Sequence, residues 1–324
     1  MGCAHAIGCS SGTDALYLAL LALNIGHGDE VITSPFTFFA TIEAICLVGA
    51  TPVFADICED TFTLNPASVE ERVSPRSRAV IPVSIFGQTA DMDAINRIAA
   101  INGMHVIEDA AQSFGARYNG GRSCNLSEIA CTSFFPSKPL GCYGDGGALF
   151  TNFRDLADRF RLLRNHGTVG RHEHECLGVN SRLDAVQAAV LRAKLPHLSN
   201  ELMHRRVIAR RYEEALQGVG DLRLPVVASD RSSTFAQFTI RTSLRDSLVD
   251  WLTRHGVPTA IHYPKPAYCQ EALGRCLPYR PAPLPIVERI CREVVSLPMC
   301  AFLSEARQQE IIDAIRAFYE GGDA

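Results

Sequence analysis

No stretch of the 324-residue chain approaches the ~20 consecutive apolar residues that a helix needs to cross a bilayer, so no membrane partner is expected. The start, Met1-Gly2-Cys3-Ala4-His5-Ala6, lacks a basic segment followed by an apolar one, so no secretory signal is read there and a cytoplasmic protein is expected. No run of Lys or Arg makes a nucleic-acid footprint. Thirty-one basic residues stand against 35 acidic ones, a formal net charge of -4, and nucleic acid is not an expected partner. The 12 cysteines are scattered through a long chain rather than dense in a short one, so they read as reduced thiols, not as a disulfide framework. Internal repeats and low-complexity tracts are also missing. What remains is a soluble globular chain, 47% hydrophobic and 20% charged, able to bury a substantial core and long enough for a large domain plus a smaller one.

Short β-rich runs alternate with helix-like segments through the first half: Val31–Thr33, Pro52–Ala55, Ala79–Val83, His105–Ile107, Ala130–Phe134 and Ala148–Thr151. Such alternation predicts an α/β fold with a mostly parallel sheet covered by helices on both faces. The pattern turns helical over Leu183–Leu198, and Glu201–Leu216 reads as a long charged amphipathic helix. A boundary is therefore placed near residue 200, giving a large domain at 1–200 and a small α+β C-terminal domain at 201–324. The latter has a strand-like run, Phe235–Ile240, a helix at Leu244–Arg254 and a Pro-rich stretch from Pro264 to Pro285.

Two residues carry most of the chemistry. Asp109 ends the apolar run that starts at His105, and Lys138 follows Ser133-Phe134-Phe135-Pro136-Ser137. Each sits where a strand gives way to a loop. A buried aspartate can hold a pyridine nitrogen protonated and a loop lysine can form a Schiff base; pyridoxal phosphate (PLP) needs both, because its ring is an electron sink only when its nitrogen is cationic. The plainer reading of Asp109 is a carboxylate capping a helix that begins at Ala110. Lys138 is flanked by Pro136, Pro139, Gly141 and Gly144, a fixed and permissive backbone unlike a solvated helix face.

The run Gly8-Cys9-Ser10-Ser11-Gly12-Thr13 opens a helix expected to reach about Asn24 and stop at Gly26. Small residues there expose N–H groups to an anion, although a plain N-cap is the commoner role. Ser133 offers a second phosphate contact. Phe38 is either a ring that stacks on a cofactor or a core residue. His172-Glu173-His174-Glu175-Cys176 resembles a metal site only at first sight: its ligands are too closely packed and no second cluster completes a tetrahedron, so a solvated loop and no metal are expected. Arg182, His262 and Tyr263 lie in Gly/Pro-punctuated segments and, by spacing alone, rate no higher than surface residues.

Taken together, Ser11–Leu16, Val106–Gly115, Ser133–Gly141 and Asn180–Leu183 resemble the DegT/DnrJ/EryC1/StrS family of PLP-dependent nucleotide-sugar aminotransferases. The likeness runs from about Ala4 to the C-terminus, and it implies the PLP-dependent transferase fold type I, the aspartate aminotransferase architecture. Within the family, Ser137–Gly147, Arg122–Ser127 and Ile261–Pro264 look most like enzymes that aminate C3 of a UDP-linked 3-keto-N-acetylglucosaminuronic acid for O-antigen synthesis. The resemblance implies that Lys138 carries PLP as a Schiff base and acts as the proton shuttle, and that Asp109 pairs with the pyridinium nitrogen. It also implies that Gln112 meets the ring O3′, that Phe38 stacks on the ring, and that Gly12, Thr13 and Ser133 hold the phosphate. Asn180 would reach the phosphate of a neighbouring subunit, making a homodimer with shared sites. Arg182, His262 and Tyr263 would face the UDP-sugar, with glutamate as amino donor.

Three departures bear on the substrate. Ala267 and Tyr268 follow Lys265-Pro266 where relatives have Leu, and Cys300-Ala301 replaces His-Pro. Relatives also carry about fifty further residues at the start, more than a typical helix or strand pair, including a helix at the dimer and substrate interface. A late-assigned start and a real truncation both fit, and the 324-residue chain is expected to be less stable and less firmly dimeric than an extended one. The alternatives are a 4-keto-hexose aminotransferase and a truncated, inactive regulatory protein of the same fold.

Overall fold

The β-rich runs of the first half pair into one seven-stranded sheet. The computed structural model describes residues 1–274, 277, 279 and 281–321; of the Pro-rich stretch, Arg275, Cys276, Pro278 and Arg280 lie outside the described residues. Across the sheet the order is His5–Cys9, Gly147–Thr151, Ile129–Ser133, His105–Asp109, Ser77–Ile81, Glu30–Thr33 and Thr51–Phe54. Gly147–Thr151 pairs antiparallel with both its neighbours, and the other pairings are parallel.

Alternation along each strand decides which side chain meets which layer. Val31, Ile81 and Ile107 point to a core shared with the helices Gly12–Ala22, Ala40–Leu47 and Arg154–Leu163. Their neighbours Ile32, Val80 and Val106 point the other way, onto the helix Met92–Ile101. Helices thus cover both faces, as the continuous apolar strands require. The same alternation sends Asp109 to the side of Ile107 and Glu108 to the opposite side.

The helix expected at Glu201–Leu216 begins at Leu198 and runs unbroken to Leu216. It packs with the antiparallel strands Phe238–Arg241 and Val294–Leu297 and the helices Arg245–Arg254 and Glu305–Glu320 around a core that contains Tyr212, Phe238, Leu248 and Ile311. Residues Val287 and Ile290, on the helix Pro285–Glu293, pack instead with Phe36, Phe54 and Phe86. This helix leans on the first half of the chain, where the Ala267 N–H also donates to the Pro35 carbonyl at 2.9 Å. Among the described residues no helix is long and apolar enough to cross a membrane.

Candidate active site

The site forms where the parallel strands end, the edge at which α/β sheets present their ligand crevices. Asp109 and Ser133 are the last residues of adjacent strands. The first strand leads through Ser10 and Ser11 into the helix Gly12–Ala22, and Glu30–Thr33 leads into the segment that bears Phe38. Together they line a cleft of about 590 Å³ whose walls include Gly12, Thr13, Phe38, Gln112, Ser133 and Lys138.

Ser11 caps its helix: the Asp14 N–H donates to Ser11 Oγ at 3.0 Å. That leaves the N–H groups of Gly12 and Thr13 at a positive helix terminus. Gly12 is required by close approach, because a Cβ there would lie 2.7 Å from Ser133 Cβ. Ser133 Oγ accepts from the Phe135 N–H at 3.2 Å and keeps its own proton to donate. The serine and the helix start therefore converge on one anion-sized place.

Asp109 is buried, and both its oxygens are held: Oδ2 accepts from Thr41 Oγ1 at 2.8 Å and Oδ1 from the Ala111 N–H at 3.2 Å. Burial pushes its carboxyl above the usual range, opposed by those bonds and by the Lys138 charge. The chain after Asp109 is a turn, not the helix that a capping aspartate would start, because the Ser113 N–H bonds the Ala110 carbonyl and the Ala116 N–H bonds that of Ser113. Lys138 sits on a turn whose N–H donates to the Phe135 carbonyl at 2.9 Å. Burial lowers its ammonium pKa, and the Asp109 charge opposes the shift.

His262 and Tyr263 line this cleft too, although their spacing had suggested ordinary surface residues. His262 Nδ1 lies 3.0 Å from Ser296 Oγ; burial and the Lys138 charge lower its pKa. The Tyr263 hydroxyl is pushed up by burial and the Asp109 charge, with a Gln112 hydrogen bond pulling the other way. Gln112 Oε1 accepts from the Phe86 N–H at 2.6 Å, so the amide NH₂ is the end left for the cleft. Phe38 is 60% exposed at the mouth, where core packing does not explain it.

Asn180 and Arg182 do not line the cleft of their own chain. Asn180 is exposed and bridges Asn165; Arg182 is exposed and donates to Asn165 Oδ1 at 2.7 Å. Between them Ser181 is buried, with its hydroxyl 3.0 Å from that of Ser10. Glu173–His174 pairs with Thr168–Gly170 as an exposed hairpin, and among the described residues no group of His, Cys, Asp and Glu is placed to hold a metal. A larger hollow of about 750 Å³ opens by the N-terminal ends of two strands, between Glu30, Arg72 and Tyr279; it holds none of the residues with cofactor chemistry.

Thr41 and Gln237 also line the cleft, with little in the local sequence to mark them. Thr41 had a weak signal, a hydroxyl three residues after Phe38 in an otherwise apolar helix start. Gln237 had none, being one polar residue in a strand-like run. The residues present fit PLP: an anion cradle, a buried carboxylate, a lysine biased towards its neutral amine and an aromatic ring at the mouth.

Residues 1–316 match the model of the DegT/DnrJ/EryC1/StrS aminotransferase family. The chain is 48% identical over 315 residues to UDP-2-acetamido-2-deoxy-3-oxo-D-glucuronate aminotransferase of Pseudomonas aeruginosa, covering 97% of this chain and 86% of that protein. It is 46% identical to a pleiotropic regulatory protein of Geobacillus stearothermophilus, covering 97% and 85%. Against dTDP-3-amino-3,4,6-trideoxy-alpha-D-glucose transaminase of Streptomyces venezuelae it is 44% identical, covering 98% and 84%. Its fold superposes on the crystal structure of DesV from S. venezuelae with a TM-score of 0.94 at 44% identity, covering 98% of this chain and 85% of that one. For NtdA of Bacillus subtilis, solved with bound pyridoxamine phosphate (PMP), the TM-score is 0.91 at 28% identity, covering 98% and 74%. This fold is the fold type I architecture of PLP enzymes, and the chain belongs to the DegT/DnrJ/EryC1/StrS family of PLP-dependent aminotransferases.

Proposed function

We propose that the protein moves an amino group from glutamate to the 3-keto carbon of a UDP-linked N-acetyl-hexuluronic acid, in the making of an O-antigen or lipopolysaccharide sugar. The observation that carries this reading is the meeting of Lys138 and Asp109 in one cleft with the anion cradle at Gly12, Thr13 and Ser133. The substrate follows the relatives: the names of two of them place the nitrogen or the keto group at C3, which favours C3 over a 4-keto hexose. An inactive regulatory role is disfavoured by the intact Lys138, Asp109, Gln112 and Ser133 set.

When bound, PLP supplies an electron sink for the carbon that gains or loses the amino group. The chain's own residues do the rest. Gly12 and Thr13 N–H groups and the Ser133 hydroxyl bind the phosphate. The Asp109 carboxylate, fixed at both oxygens, holds a proton on the ring nitrogen, and the Gln112 amide meets the ring O3′. Phe38 covers the ring and restricts water. Lys138 Nζ would be the covalent attachment point and would move the proton at the reacting carbon; burial, which lowers its pKa, favours the neutral amine these roles use. His262 and Tyr263, in the lining of the same cleft, would face the sugar.

The protein acts as a homodimer in which Asn180 completes the phosphate site of the neighbour and Arg182 meets an acidic group of its substrate; both are exposed in the single chain and lie outside its own cleft. The test offers a panel of UDP- and dTDP-linked 3-keto and 4-keto sugars to the pyridoxamine-loaded protein and follows the return of the visible absorbance. The UDP-linked 3-keto uronic acid is expected to react fastest. A 4-keto sugar reacting fastest would overturn the assignment.

A further inference from the structure

Among the described residues, one buried side-chain polar atom of the cleft has no partner. Gln237 Oε1 is buried without a hydrogen bond, and Gln237 lines the cleft together with Lys138, His262 and Tyr263. The other buried, unpartnered side-chain atoms among the described residues belong to Arg72, Ser84 and Thr89, none of which lines this cleft. A buried amide oxygen is costly to leave unpaired, so such a group at a site points to a ligand that pairs with it.

The position of Gln237 is fixed from both sides. Before it, the Thr234 N–H donates to the Gly87 carbonyl at 3.0 Å and the Ala236 N–H to the Phe86 carbonyl at 3.0 Å. Thr234 Oγ1 also donates to the main-chain oxygen of Gln112 at 2.7 Å, locking this segment to the turn that bears a cofactor-facing residue. After it, Phe238 is fully buried and opens the strand paired with Val294–Leu297. The backbone therefore has no freedom to carry the amide out to water.

The chemistry of the orphan selects between the two substrates of the proposed reaction. An acceptor oxygen needs a donor. Glutamate offers two carboxylates, which only accept, and one ammonium, which is the group transferred. A nucleotide sugar offers ring hydroxyls and an acetamido N–H, all donors that survive the reaction. We propose that Gln237 is a specificity-determining residue of the sugar half-reaction, receiving a hydrogen bond from a hydroxyl or acetamido N–H on the hexose ring. This rests on the sugar-aminotransferase reading above.

The test uses the holoenzyme and the substitutions Gln237→Leu, of similar volume, and Gln237→Ala, each followed through the two half-reactions separately by the absorbance of the bound cofactor. For the UDP-linked 3-keto uronic acid, kcat/KM is expected to fall at least ~10-fold, because a site built to pair with a polar group discriminates strongly when that pairing is lost. The glutamate half-reaction should stay within about twofold, with the cofactor spectrum unchanged. Sugars lacking the 2-acetamido N–H or the 4-hydroxyl identify the donor: the one that Gln237 contacts loses its sensitivity to the substitution. An equal fall in both half-reactions, or an unchanged sugar half-reaction in both variants, would overturn the inference. Failure of the wild-type protein to aminate any ketosugar would instead remove the underlying reading, and the inference with it.

Discussion

Thr41 Oγ1 donates to Asp109 Oδ2 at 2.8 Å, joining the first turn of the helix Ala40–Leu47 to the end of the strand His105–Asp109. The Thr41 hydroxyl lies 3.0 Å from that of Thr37. With its proton committed to Asp109, Thr41 accepts from Thr37, so two hydroxyls in series support one carboxylate. The bond orients the acid and favours its ionised form against the penalty of burial.

Replacing Thr41 with Val keeps the shape and removes the bond. PLP affinity and turnover are expected to fall several-fold, about 1 kcal/mol for one hydrogen bond to a charged group. Asp109→Asn, which removes the charge itself, should cost about 2 kcal/mol or more in kcat/KM. Titration of apoenzyme with PLP and steady-state rates measure both, and a Thr41→Val protein indistinguishable from wild type would show that the bond is dispensable.

Lys138→Ala should abolish turnover while leaving a pocket that holds PLP without a covalent link. In the proposed reaction the amine has two duties, attachment and proton transfer, each of which contributes orders of magnitude in rate. Borohydride treatment followed by peptide mapping should mark Lys138 in the wild type and nothing in the variant. Activity retained in the unmarked variant would remove the lysine from the mechanism.

Glu108 faces away from the cleft and predicts the pH dependence of stability. Burial pushes its carboxyl from 4.5 to about 7, against hydrogen bonds from Ser123 and the N–H groups of Cys124 and Leu126. The unfolded chain gives up this proton first, so the stability contributed by the neutral acid is fully present below about pH 4.5. It is lost as pH rises towards 7, by at most roughly 3 kcal/mol. Urea midpoints between pH 5 and 8 should fall less steeply for Glu108→Gln than for wild type. Parallel curves would mean that Glu108 does not titrate in this window.

Cofactor affinity should depend on assembly if Asn180 completes the neighbour's site, as an isologous dimer with shared sites requires. Dilution to monomer should weaken PLP binding, and Asn180→Ala should weaken it at every concentration. A monomer that holds PLP as tightly as the dimer would contradict the shared site.

The sequence by itself determined the local pieces of the site. Asp109 and Ser133 end β-rich runs, Ser11 and Gly12 open an apolar helix, and Lys138 sits among prolines and glycines. Propensity, capping and hydrophobic period act over a few residues, and the periods also dictated which strand residues face which helix layer. Tertiary structure decided the rest. Thr41 meets Asp109 across 68 positions, and Gln237, His262 and Tyr263 reach the same cleft from the C-terminal third of the chain. The reversed direction of Gly147–Thr151 and the placement of Arg182 outside the cleft belong here too. A period states that a face is buried but not what buries it. Partners distant in sequence are chosen by packing and chain closure over the whole molecule, which is why the groups proposed to hold the cofactor can be picked out locally, whereas the meeting of Gln237, His262 and Tyr263 with them cannot.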